Sequence, residues 1–500
     1  MNSLNFKTLR NSGAAPVIAF SAERENESGR VAVASRITKH SSIAMLGGLL
    51  SQGLKFVVVI YVARKFSTVE FGWFSFAVAV NAYMSIMSNF GLPVFGSRAI
   101  AKSGMVAAEL LTDVVSVRLL LSAIVTLLGI GVLSLIPEVN RVELMIVALF
   151  GLSNLPQAWF FDWVFQGLDR QGSSAALNVA WQAGWLLFTI IACTMGLGII
   201  AVGVGLSLST LVASTAGYYW LRSTPGLISR NEFAPPLLSR AAKVFRAAAP
   251  LGFGTMLISV VVWTDAIYVR LLNGEVAVAV YAAGNRAALA LSMLGTFYVQ
   301  GAFPLLSRAS IQSRAFFEQC FTQVFADLAI LFVPCSVWAI YYAREIIWIV
   351  FRRPEFAAAL PVFRIFQVTL LLFVLNNLLG TGVLVAYHRD RAFRRVLVGS
   401  TAAFLFLCPL LTWRFGNVGA AISVLLSQVI ALTWFYRYTC PLLCVRWYRA
   451  VRWPLALSAA CVALCFGVHL SFRAGLFPLF LTYIGLLSQR SFEQPGTALA

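Results

Sequence analysis

Charged residues are scarce in this chain of 500: 38 basic and 19 acidic side chains make up 11%. A soluble domain carries about a quarter. So few charges cannot cover a soluble surface of this size. With 60% hydrophobic residues and a mean hydropathy of +0.83, most of the surface must face lipid. Histidine falls to three residues, His40, His388 and His469, none placed as an obvious acid or base. The phosphate loop GxxxxGK[ST] is missing, as are HExxH and GxSxG. Apart from the N-terminal tail, the longest hydrophilic stretch is about residues 222–246, which leaves no room for an ATPase domain. The eight cysteines include two i,i+4 pairs, Cys440/Cys444 and Cys461/Cys465, without neighbouring histidines. They read as free thiols behaving as small apolar residues, with no metal site and no disulfide framework. No cofactor is implied. The net charge of +19 is dispersed between apolar runs, which argues against nucleic acid as a partner.

What the chain has is apolar length. A helix needs about 20 residues to cross roughly 30 Å of hydrocarbon. Apolar runs suit spans at 42–63, 71–92, 117–136, 143–166, 175–195, 199–221, 247–271, 276–303, 320–343, 360–387, 396–413 and 417–438. Two weaker ones follow at 454–470 and 474–489, giving 12–14 spans in an all-α polytopic membrane protein. No short apolar core with a small-residue cleavage site opens the chain. The first run therefore reads as an uncleaved anchor behind a disordered basic tail at 1–41.

Cytoplasmic loops gather Lys and Arg. With the N-terminus inside, the inner segments hold 26 basic residues and the outer ones 10, while Lys55 and Arg286 fall within spans. Both termini are thus expected in the cytoplasm. Residues 59–98 and 267–308 echo one another through Tyr61/Tyr268, Arg64/Arg270, Glu70/Glu275 and Ser97-Arg98/Ser307-Arg308. The echo and the basic linker divide the chain into an N-lobe at 42–221, a linker at 222–246, a C-lobe at 247–438 and a C-terminal part at 439–500. Six spans in each lobe would make a parallel repeat.

Several segments carry a family pattern. VARKFSTVEFGWFSFAVAV at 62–80, including Arg64 and Gly72, is followed by NFGLPVFGSRAIA, which contains Arg98. WVFQGLDR at 163–170 contributes Gln166, Gly167, Asp169 and Arg170. TDAIYV at 264–269, VYAAGNRA at 280–287 with Tyr281, FPLLSR at 303–308 with Pro304, RRPEFAAALPVFRI at 352–365 and FGNVGAAISVLLSQ at 415–428 with Gly419 complete it. In this order they resemble the polysaccharide flippase family of the multidrug/oligosaccharidyl-lipid/polysaccharide (MOP) exporter superfamily, over about 42–440. The resemblance implies two six-helix lobes in the arrangement of multidrug-extrusion transporters, plus two C-terminal helices. It implies a transporter, not an enzyme, that flips a lipid-pyrophosphate-linked glycan repeat unit across a bacterial inner membrane for O-antigen or exopolysaccharide synthesis. A polymerase and glycosyltransferases of the same pathway would be its partners. The family commonly has Glu where this chain has Asp169, and no sodium site matches residue by residue.

Ionisable residues inside spans are costly and face a cavity or a partner. Lys55, Asp265 and Arg286 stand furthest from span ends; Asp162 and Asp327 lie nearer them. At 1.5 Å per residue, Lys55 and Arg286 sit roughly 13–17 Å deep, near the midplane. One cation per lobe would solvate a pyrophosphate that hydrocarbon cannot. Arg286 could instead form a structural ion pair with Asp265, which could also carry a coupling proton or sodium ion. Asn81, Asn285 and other polar side chains (Gln52, Asn89, Asn154, Gln182, Gln300, Asn376 and Asn377) either line a cavity and meet sugar hydroxyls or bond helix to helix. A small-molecule antiporter of the multidrug type would need carboxylates rather than these cations. A peptidoglycan-precursor flippase would carry a run of arginines in its first two spans. An intramembrane glycosyltransferase would need paired carboxylates beside a large loop.

Overall fold

A computed structural model describes residues 27–103, 106–223 and 238–443, with isolated helical positions between 454 and 463. The expected spans at 454–470 and 474–489, most of the linker and the first 26 residues lie outside the described part. Everything regular within it is helical. The elements are α1 (Glu27–Lys65), α2 (Thr68–Asn89), α3 (Leu92–Ser103), α4 (Ala108–Ser134), α5 (Arg141–Leu152), α6 (Asn154–Gln157), α7 (Asp162–Gly167), α8 (Gln171–Thr194) and α9 (Ile200–Ser223). The second half adds α10 (Leu238–Asn273), α11 (Glu275–Gln312), α12 (Arg314–Tyr341), α13 (Ala343–Phe351), α14 (Leu360–Asn377) and α15 (Asp390–Thr439). Among the described residues, eight helices are long and apolar enough to cross a membrane, or nine if α10, bent by 50° near Leu257, counts as one span. The chain is an all-α, multi-pass membrane protein.

Local chemistry explains the boundaries. Ser67 and Glu70 form a reciprocal capping box that starts α2. α15 is two rods joined at Gly416, whose φ of 58° and ψ of −137° break the helix where the sequence pattern separates 396–413 from 417–438. α1 begins at Glu27, ahead of the span expected from residue 42, so 27–41 continue the helix instead of forming a disordered tail. No proline interrupts that stretch.

The expected single span at 143–166 is broken into α5, α6 and α7. Pro156 lacks an N–H and cannot continue the ladder. Arg118, inside α4 and only 3% exposed, braces the turn between α6 and α7, donating to Gln157 O at 2.7 Å and Phe160 O at 3.4 Å.

Among the described residues, three large apolar cores hold the helices, with a small fourth cluster around Tyr342. The largest joins both halves of the chain at the end where α1 meets α2 and α10 meets α11, through Phe71, Phe74, Phe150, Tyr281, Phe351 and Phe356. Phe71 stands edge-on to Phe356 at 5.6 Å. Toward the α2–α3 end the core divides. One part, around Leu306, Phe317 and Leu378, belongs to the second half alone. The other, around Leu92, Phe161 and Trp163, takes in Ala248 from the first leg of α10.

Candidate functional site

Trp263, on α10, places two cations around one ring. Lys55 Nζ lies 5.9 Å from its centroid and the Arg286 guanidinium carbon 5.8 Å. Both distances suit attraction to the ring quadrupole. Lys55 comes from α1 and Arg286 from α11, so opposite halves of the chain bring their mid-span cations to a shared point. Among the described residues neither has a carboxylate within ion-pair distance. Both side chains are half-buried.

The residues flanking Trp263 are tied elsewhere. Thr264 hydrogen-bonds the Tyr83 hydroxyl on α2. Asp265, 2% exposed, accepts from the Tyr281 hydroxyl at 2.5 Å, from the Ala266 N–H at 2.7 Å and more weakly from Asn285 Nδ2 at 3.5 Å. The alternative of an Asp265–Arg286 ion pair is therefore not met: the two are not within ion-pair distance. Tyr281 and Asn285 lie on the buried side of α11 and answer the carboxylate first, which leaves Arg286 to the indole.

A cavity of about 240 Å³ opens beside Lys55. Its walls come from α1, α2, the α5–α6 break, α8 and α9, and include Asn81, Ser85, Asn154, Gln157, Trp181 and Gln182. Asn154 Nδ2 donates to Asn81 Oδ1 at 2.9 Å, and Ser85 Oγ donates to Gln157 Oε1 at 3.1 Å. The amides that sequence alone leaves undivided thus separate. Asn81, Asn154 and Gln182 face the cavity. Asn376 instead bonds Gln428 between helices at 2.9 Å, Asn285 serves Asp265, and Asn89 bonds the Ser85 carbonyl of its own helix at 2.8 Å.

The family-pattern residues are architectural. Arg64 donates to the carbonyls of Val350 and Ile349 at 2.8 and 2.7 Å, joining α1 to the end of α13. Arg353 returns a bond to Phe66 O. Gly72 lets α2 approach the α10–α11 turn: a Cβ there would stand 2.2 Å from Glu275 O. Gln166 Nε2 reaches Ser174 at 3.1 Å and Asp162 at 3.3 Å. Gly167 lies against Ser97 O, and Asp169 has a φ of 58°, a left-handed conformation that short Asp tolerates better than Glu. Arg170 N closes the turn on Phe165 O, Arg98 is exposed on α3, Pro304 lies inside α11, and Gly419 passes close to Leu411 O. Asp327 accepts from Tyr298.

Sequence reasoning missed one cluster. Arg270 grips Glu143 with both arms, Nε to Oε1 at 2.8 Å and Nη2 to Oε2 at 2.6 Å, and also reaches Glu138 O at 2.7 Å. Arg270 is 3% exposed and Glu143 0%. Glu275 joins at 3.4 Å and accepts from Trp73 Nε1 at 3.1 Å. The cluster ties α5, α2 and the α10–α11 turn across the two halves. The echo of Arg64 with Arg270 marked the helix ends; nothing in it named Glu143, 127 residues away.

Among the described residues no group of His, Cys, Asp and Glu could hold a metal ion.

Comparison with known proteins agrees with this fold. A Shigella dysenteriae protein provisionally named as an O-antigen transporter is 20% identical over 381 residues, spanning 75% of this chain and 93% of its own. The lipid II flippase MurJ in an inward closed conformation superposes with a TM-score of 0.69 at 11% identity, covering 90% of this chain and 99% of that one. An inward-facing multidrug-resistance transporter of the MOP superfamily gives 0.58 at 14% identity, covering 78% and 95%. The family model described as polysaccharide biosynthesis protein matches residues 37–310. The match spans more than half of the sequence, and the chain therefore belongs to the polysaccharide biosynthesis protein family.

Proposed function

We propose that this protein carries a lipid-pyrophosphate-linked glycan repeat unit across a bacterial inner membrane, by alternating exposure of a central cationic site. The observation that carries the reading is that Lys55 and Arg286 meet at the Trp263 ring with, among the described residues, no carboxylate within ion-pair distance. A pyrophosphate brings about two negative charges and needs replacement solvation in the bilayer. An ammonium and a guanidinium supply it, the first as a point charge and the second as a fork. The ring holds both cations until the anion arrives. Asp265 is already engaged with Tyr281 and Asn285, which weighs against a multidrug-type cavity built on free carboxylates. Enzymes that assemble and polymerise the glycan would act before and after it.

Deleting the gene in its host is expected to make lipid-linked repeat units accumulate and surface polysaccharide disappear. Normal surface polysaccharide with no accumulation would overturn the reading. Arrest of cell-wall synthesis instead would favour a peptidoglycan precursor as cargo.

The excess of basic residues on alternate loops supports cytoplasmic termini. In a cysteine-free background, a cysteine placed at 138–141 is expected to react with a membrane-impermeant thiol reagent in intact cells, and one placed in 222–246 to be protected. The reverse pattern would invert the orientation.

A further inference from the structure

The cavity beside Lys55 has a feature that pyrophosphate does not use: apart from the lysine it is uncharged. Among the described residues lining it there is no carboxylate and no second cation. Gln182 is 8% exposed, and its Oε1 is buried without a hydrogen-bond partner. Such an acceptor is costly to leave unmet. Asn81 Nδ2 and Gln157 Nε2 also carry protons with no acceptor among the described residues, because Asn154 and Ser85 engage only their oxygens. Trp181 cannot turn to meet them, since its Nε1 is held by Thr210 Oγ1 at 2.9 Å.

Spare donors, a spare buried acceptor and a fixed aromatic ring make a site for a molecule with hydroxyls on its edge and C–H groups on its face. Each hydroxyl can donate and accept, so it can answer an amide in either sense. The volume, about 240 Å³, equals about eight liquid-water volumes of ~30 Å³ each, enough for one pyranose ring. We infer that this cavity is a subsite for one neutral sugar, the ring bonded directly to the pyrophosphate, read by Asn81, Gln157 and Gln182 while Lys55 holds the phosphate at its rim. The inference rests on the flippase reading above and adds a specificity to it. An acidic sugar in this position would find no second cation, and sugars further along the repeat unit would lie outside the amide set.

The test uses purified full-length protein in nanodiscs and two synthetic ligands: a polyprenyl pyrophosphate bearing one neutral hexose, and the same lipid without sugar. Wild type is expected to bind the sugar-bearing lipid about tenfold or more tightly, because amides left unpaired by the bare lipid oppose its binding. Gln182→Met, close in volume and apolar, is expected to lose most of that preference while binding the bare lipid as wild type does. Gln157→Met is expected to behave likewise, and serves as the second variant should Gln182→Met fold poorly. Equal binding of both lipids by wild type would overturn the subsite and leave the flippase reading intact. Equal weakening of both lipids in the variants would also overturn it. Failure of wild type to bind either lipid would bring down the flippase reading, and the subsite with it.

Discussion

Lys55→Glu is expected to abolish transport while the protein inserts at a normal level. At about 5 Å and an effective dielectric of about 20, each pair of unit charges is worth about 3 kcal/mol. Reversing the sign doubles the change, to about 6–7 kcal/mol per phosphate charge. At 1.4 kcal/mol per factor of ten, that exceeds four orders of magnitude in affinity. Lys55→Gln removes the attraction without adding repulsion and should leave a small residual activity. Lys55→Arg preserves both the charge and the contact with Trp263 and should retain most of it. At Arg286 the ranking differs, because Lys keeps the charge but loses the fork, so Arg286→Lys should already impair transport. Complementation of surface polysaccharide in a deletion strain, normalised to membrane protein, gives the measurement. Full export by normally inserted Lys55→Glu would remove the cationic mechanism at that position.

Arg270→Met should produce the largest loss of stability, about 3–5 kcal/mol. The variant leaves Glu143, 0% exposed, with its two strongest bonds gone. It also releases Glu138 O and weakens the tie to Glu275. Glu143→Gln keeps shape and one acceptor and should cost less. Replacing both, Arg270→Met with Glu143→Leu, should restore most of the lost stability, because no buried charge is then stranded. Thermal unfolding of the purified variants measures the series. Strict additivity would mean that the two side chains do not act as a pair.

Much of the fold was legible before any coordinates. Apolar runs marked the spans because lipid leaves a helix few alternatives. The gap at 413–417 coincided with the turn at Gly416, where an RFGN sequence interrupts two long apolar runs. Helical rise alone gave Lys55 and Arg286 similar expected depths, and the structure brings them to one ring. What stayed hidden was lateral. Depth does not say which neighbour a side chain faces, so Arg286 stood open as a partner for Asp265 when Tyr281 and Asn285 lie on the face that meets it. Two amides within expected spans, Asn81 and Asn376, diverged for the same reason: one faces a cavity, the other Gln428. The break between α5 and α7 was masked because Pro156 sits among residues apolar enough to read as one span.

That break also bears on how tolerance to substitution can be interpreted in this protein. Arg118 spends its guanidinium on two backbone carbonyls, Gln157 O and Phe160 O, where a fork of donors is needed and an ammonium could not span both. In a library randomised codon by codon and selected for surface polysaccharide, position 118 would be as intolerant as position 55, and more so toward lysine. One residue would be lost for want of a folded helix junction and the other for want of an anion-binding charge. An intramembrane arginine that survives every selection is thus no sign of a cargo contact, and only its bonding partners separate the scaffold from the site.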